Sequence, residues 1–173
     1  MRYLSEQMNR FVLISVAALI LGEPVRAQMN ADCAVRPASL KAMRDCYRPL
    51  LVFAPSARDA AFAAQQGLLD QYADDMMDRN LLYVPVLAEM GAGSGQFDGP
   101  LDAPYVVLKP SEMDALRARF RVGRSEFAVV LVGKDGGEKF RTSKPVSVLR
   151  LDEIVDAMPM GREEKAARAA KAQ

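Results

Sequence analysis

"RPLLVFAPSARD", Arg48 to Asp59, is the stretch that decides the fold. Pro49 to Ala54 is a continuous apolar run, the pattern of a strand covered on both faces. Pro55 and Ser56 break it. From Ala60 onward Phe62, Leu69, Tyr72 and Met76 recur three, four or seven apart, which predicts one long helix to Arg79. Gln66, Asp70, Asp74 and Asp78 fall on its outer face. Ser56 is followed by Asp59 at capping-box spacing, so the turn reads first as a helix cap with Arg58 in solvent.

Working outward, "LLYVPVL" (Leu81 to Leu87) is a second strand, and Pro85, lacking a backbone donor, assigns it to a sheet edge. "GAGSGQFDGPLDAPY" is a Gly-, Asp- and Pro-rich loop. "SEMDALRARF" opens with Ser111 and has Asp114 three residues later, a second capping-box spacing, with Met113, Leu116 and Phe120 inward. "FAVVLVG" (Phe127 to Gly133) is fully apolar, hence central. Asp135-Gly136 supplies a tight hairpin, and "EKFRTS" returns as a charged edge strand. "LRLDEIVDAM" is a last amphipathic helix with Leu151, Ile154, Val155 and Met158 inward, stopped by Pro159. Beyond it "GREEKAARAAKAQ" has helical propensity but no apolar stripe, so residues 161–173 are expected to be a flexible charged tail. A right-handed crossover makes the first two strands parallel. The expectation is an α/β fold: a four-stranded mixed sheet, order 2-1-3-4, with helices on both faces.

Ahead of this domain, placed at 48–160, lie two further segments. Arg2 and Arg10 precede the uncharged "FVLISVAALILG", which is too short to span a bilayer, and "EPVRAQ" offers a cleavage site after Ala27. Residues 1–27 therefore read as an export signal, and the mature protein as periplasmic or secreted with no stable membrane anchor. Cleavage removes three of 23 basic and two of 22 acidic residues, so the mature chain is neutral. A neutral chain has no long-range field to gather nucleic acid or anionic lipid. Residues 28–47 form a lead-in carrying both cysteines, Cys33 and Cys46. In an oxidising compartment a structural disulfide is favoured, and closing so short a loop contributes about 3 kcal/mol in the chain-entropy model. Two free buried thiols are the alternative, since spacing alone does not bring sulfurs together.

The order of elements is similar to the thioredoxin fold. "LLVFAPSARDAAF" resembles its first strand and the turn into its main helix, and "FAVVLVGKDGGEKFR" its last hairpin. Two departures stand out. The Cys-x-x-Cys expected at the turn is "PSAR", and "VGRSEF" lacks the proline expected before the third strand. Thiol–disulfide chemistry needs a thiolate at that helix start, which serine does not supply. Together "RPLLVFAPSARD", "FAVVLVGKDGGEK" and "IVDAMPMGREE" resemble the bacterial family named domain of unknown function 4174. That resemblance implies a small, often exported thioredoxin-like domain and carries no activity with it. Cys46 does not replace the missing pair. It precedes the first strand and Ser56 follows it, roughly 25–30 Å away at ~3.3 Å per residue.

There is no histidine. Ser-His-Asp and Cys-His catalysis and every His-bearing metal site are thereby excluded. "DGPLDAP" and "YADDMMD" lack calcium-loop spacing, "GAGSG" opens no helix for dinucleotide binding, and the methionines fall mostly on helix stripes. No cofactor or metal is expected. In a thioredoxin-like fold the loop before the third strand lies against the main helix start, which would bring Arg124 and Ser125 to Ser56 and Arg58. Two guanidinium groups at a positive dipole end suit a carboxylate or phosphate. The expected function is a redox-inactive module binding a protein partner or small anion. An atypical thiol oxidoreductase or peroxide-handling enzyme using Cys33 or Cys46, and a structural subunit of the cell envelope, are the alternatives.

Overall fold

A computed structural model describes residues 33–90, 97, 99 and 103–171. Residues 1–27, expected as an export signal, and most of the Gly-rich loop lie outside the described residues. Four strands, β1 (Arg48–Ala54), β2 (Leu81–Leu87), β3 (Ala128–Val132) and β4 (Glu138–Thr142), form one sheet in the order β2-β1-β3-β4. β1 is parallel to β2 and antiparallel to β3, and β3 is antiparallel to β4. This is the thioredoxin-like arrangement expected from the sequence.

The sheet divides two cores. Leu50, Val52 and Ala54 of β1 face α2 (Ala60–Leu69), α3 (Ala73–Asp78) and α5 (Val148–Ala157) through Phe62, Leu69, Met76, Leu151 and Val155. The alternate residues Leu51 and Phe53 face α1 (Leu40–Met43) and α4 (Pro110–Phe120) through Met43, Met113, Leu116 and Phe120. Each apolar residue of β1 thus has a core to enter, which is why the run is unbroken. At the β2 edge Tyr83 donates to the carbonyl of Pro104 and accepts from the amide of Val106. Pro85, two residues on and facing the same way, has no N–H to leave unpaired. Gly136 turns the β3–β4 hairpin at φ +79°, a conformation that favours glycine.

Several local expectations are corrected. The helix predicted over 60–79 is two helices, because Tyr72 leaves helical dihedrals (φ −140°, ψ 42°) shortly after the weak helix formers Gly67 and Asp70. Ser111 is not the cap of α4. That helix begins one residue earlier with Pro110 in its first turn and no side-chain cap on Lys109. Pro159 ends α5 but also opens α6 (Pro159–Lys171), so the segment expected as a flexible tail is helical to Lys171. α6 folds back closely on α5: a Cβ at Gly161 would fall 1.8 Å from the carbonyl oxygen of Val155.

Gln65 of α2 is buried, and its amide brackets the backbone of Val146, donating to the carbonyl at 3.0 Å and accepting from the N–H at 2.8 Å. Gln65→Leu will leave both backbone groups unpaired in the core. The expected loss is about 2 kcal/mol in urea unfolding, whereas Gln66→Leu on the half-exposed face will change little.

Candidate functional site

The Pro55–Asp59 turn is built from its own polar groups. Asp59, not Ser56, caps α2, with Oδ1 accepting from the amide of Phe62 at 2.9 Å. The Ser56 hydroxyl accepts from the amide of Arg58 at 3.3 Å, and the Ser56 carbonyl takes the amide of Asp59. Ser56 is therefore spent on closing the turn, which corrects its assignment as the helix cap. The chain after β2 lies alongside: Ala88 donates to the Ala54 carbonyl and Glu89 to the Pro55 carbonyl.

Beneath the turn is Arg117 of α4, buried and pointing at strand ends. Its Nη1 donates to Gly123 O at 2.6 Å, and Nη2 donates to Ala54 O at 2.5 Å and Val86 O at 2.7 Å. Its guanidinium also lies 5.7 Å from the centre of the Phe53 ring. Burial, followed by the nearby Arg124, holds its pKa below the ordinary arginine value. One side chain thus fixes the ends of β1 and β2 and the loop leading to β3.

The structure brings Arg124 to this end of the sheet, where Nη2 donates to Ala88 O and Nη1 pairs with Asp114 at 3.4 Å, both side chains being exposed. Arg58 and Ser125 are exposed, and no hydrogen bond or ion pair joins either of them, or Ser56, to Arg124 among the described residues. The positive end of α2 already carries the Asp59 carboxylate, and Arg124 already has Asp114. Any anion arriving here meets one acid at the helix end and another beside Arg124.

Cys33 and Cys46 are joined as a disulfide, with Cα atoms 5.7 Å apart. The Tyr47 hydroxyl donates to Ala34 O and ties down the same lead-in. Cys46 precedes β1 and the Pro55–Asp59 turn follows it, so the sulfurs lie at the opposite end of the strand from Ser56.

That opposite end holds a polar cluster that the sequence reading missed. Arg48 is 1% exposed, and its Nη1 donates to Arg79 O at 2.7 Å and to Glu164 Oε2 at 2.8 Å. Lys134 donates to Glu164 Oε1 at 2.8 Å. Arg79 pairs with Asp152 at 3.3 Å and Asp156 at 3.2 Å, and Asp156 also meets Lys165 and Arg168 of α6. α6 is thus docked by charge, which is why an apolar stripe was not its signature.

Asp152 titrates against this background. Burial pushes its carboxyl up to about 6, Arg79 pulls it back, and Asp75 and Asp156 reinforce the rise. From its ordinary value up to about 6 the folded protein holds a proton that the unfolded chain has released. The stability this proton confers is present at acid pH and lost as pH rises through the folded pKa. Asp152→Asn will therefore gain on the wild type between pH 5 and pH 7.5, by about 1–2 kcal/mol in urea unfolding. A difference that does not change with pH would contradict this.

With the geometry in view, comparison with known proteins places the chain. The family model described as "Domain of unknown function (DUF4174)" matches residues 39–164. The chain belongs to this family. The DUF4174 chain is also similar to the human protein called "Sushi repeat-containing protein SRPX", 28% identical over 144 residues, and to its mouse counterpart at the same identity. Those matches cover 82% of this chain but 30% of each relative, so it spans about a third of their length. Among solved structures it is similar to the pneumococcal exposed lipoprotein thioredoxin (Etrx1) of Streptococcus pneumoniae (16% identity, TM-score 0.46, 66% of this chain and 87% of that one). It is also similar to thioredoxin peroxidase I of Plasmodium yoelii (16%, TM-score 0.47, 77% and 79%). No helix among the described residues is long and apolar enough to cross a membrane.

Proposed function

We propose that this DUF4174 chain is an exported thioredoxin-fold module that binds a protein partner or a small anion and performs no thiol–disulfide exchange at its β1–α2 turn. One observation carries the reading: the Pro55–Asp59 turn has no thiol and its serine is occupied in closing the turn, while both cysteines are bonded to each other beyond the far end of β1. The absence of histidine from the sequence removes the usual base for activating Ser56. The domain matches a minor part of longer relatives, as a module working beside others would. The export half rests on the signal-like residues 1–27, and amino-terminal sequencing of the mature protein should begin at Gln28.

The mature chain is expected to reduce no insulin and consume no peroxide above background, and the native protein to show no titratable thiol. Turnover that disappears in Cys46→Ser would replace this reading with the enzymatic one. For anion binding at the turn by Ser56, Arg58, Arg124 and Ser125, inorganic phosphate is the probe. Binding that weakens in the Arg58→Ala/Arg124→Ala double variant supports the site, and an unchanged isotherm removes it.

A further inference from the structure

We infer that the end of the sheet remote from the β1–α2 turn carries a separate binding site for a small organic carboxylate with an apolar body. A cleft of about 300 Å³ opens there between the start of β1, the β3–β4 turn and the α5–α6 junction. Arg48, Lys134 and Lys139 line it with three cations against the one acid Asp135, and Met158, Pro159 and Met160 line it with apolar surface.

Two independent features of this cleft call for an anion. The first is Arg48. Both of its hydrogen bonds leave from Nη1, to Arg79 O and Glu164. Nε is buried with no partner, and Nη2 makes no bond among the described residues. The Nε–Nη2 edge is a fork that takes a carboxylate through two parallel bonds, and here it is unused. A buried guanidinium with a vacant fork is costly unless something supplies acceptors.

The second feature is the start of α6. Its first intrahelical bond runs from the amide of Arg162 to the carbonyl of Met158, which puts a methionine at the capping position. Methionine offers no strong acceptor, and the first turn holds no acidic residue. The amides of the first turn and the positive end of a 13-residue helix thus lack a side-chain partner at the cleft. α2 is the contrast, because Asp59 already fills its N-terminus.

Charge counting agrees. Arg48 and Lys134 share the single carboxylate of Glu164, while Lys139 has Asp135 at 2.5 Å. One positive charge is left over, matching a monoanion. The two methionines and the proline favour a ligand with an apolar body over a bare inorganic anion. This site does not depend on the reading of the β1–α2 turn, and the redox assays above leave it untouched.

The test uses benzoate, with acetate and inorganic phosphate in parallel, titrated into the mature chain and followed by NMR. Benzoate is expected to give saturable shifts at the Gly133 and Lys139 amides and the Met158 and Met160 methyls, and to bind more tightly than acetate or phosphate. Met160 is 48% exposed, so Met160→Glu tests the site without disturbing the core. It places a fixed carboxylate in the first turn of α6, where it favours the helix. Thermal stability should be unchanged or higher, while benzoate affinity falls about tenfold or more. Absence of saturable shifts at these groups, phosphate binding as tightly as benzoate, or Met160→Glu leaving the affinity unchanged would each overturn the inference.

Discussion

Glu164→Gln is expected to lower stability by about 3 kcal/mol and to release α6, although the substitution conserves shape and lies near the end of the described chain. Glu164 is the carboxylate between two buried cations, Arg48 and Lys134, each 2.8 Å away. Gln neutralises it and leaves two buried cations, Arg48 and Lys134, facing each other without a countercharge. Glu163→Gln, one residue earlier and exposed, is the control and should cost almost nothing. Burial alone would raise the Glu164 pKa, but the bonds from Arg48 and Lys134 outweigh it and hold the pKa below the ordinary value. The sign follows. The stabilisation is present above the unfolded pKa and is lost as pH falls through the lowered folded one. The gap between wild type and Glu164→Gln should therefore be widest near neutrality and close in acid, the reverse of the trend for Asp152→Asn. Urea unfolding across pH, with hydrogen exchange of the α6 amides, reads both effects.

Arg117→Met is the second large effect, expected at about 3–5 kcal/mol. The methionine keeps much of the volume, but it takes the guanidinium from the Phe53 ring and donates nothing. Ala54 O, Val86 O and Gly123 O each lose a charged donor at a strand or loop end. Ala54 O retains the amide of Ala88. Hydrogen exchange should accelerate first at Ala88 and Glu89, whose amides bond the β1–α2 turn. If Arg117→Met unfolds at the wild-type urea midpoint, Arg117 is not what holds this end of the sheet.

The contrast between what was legible and what was not has a physical basis. The apolar run of β1, the proline of β2 and the Asp135-Gly136 turn are local signals, and all three positions are read correctly. The capping spacings at Ser56 and Ser111 were also real patterns, but each was beaten by a neighbour, Asp59 in one case and Pro110 in the other. The buried polar residues are hard to read because their chemistry points outward while their period points inward. Gln65 lies three after Phe62 and four before Leu69. Arg117 lies four after Met113 and three before Phe120. Asp152 lies four after Val148 and three before Val155. Each occupies a core position of its helix stripe, and each is buried. A polar residue where the period demands an apolar one was the signal available, and it marks the places where structure is bought with hydrogen bonds instead of surface. α6 escaped for the opposite reason: its contacts are ionic, so no stripe announced it.

The bond from Arg48 to Glu164 joins residues 116 apart in sequence. The ends of this bond must therefore meet across a long loop, whereas the bonds within each helix close over a few residues. Docking of α6 on the start of β1 is accordingly a late, non-local step, and the helices and hairpin form without waiting for it.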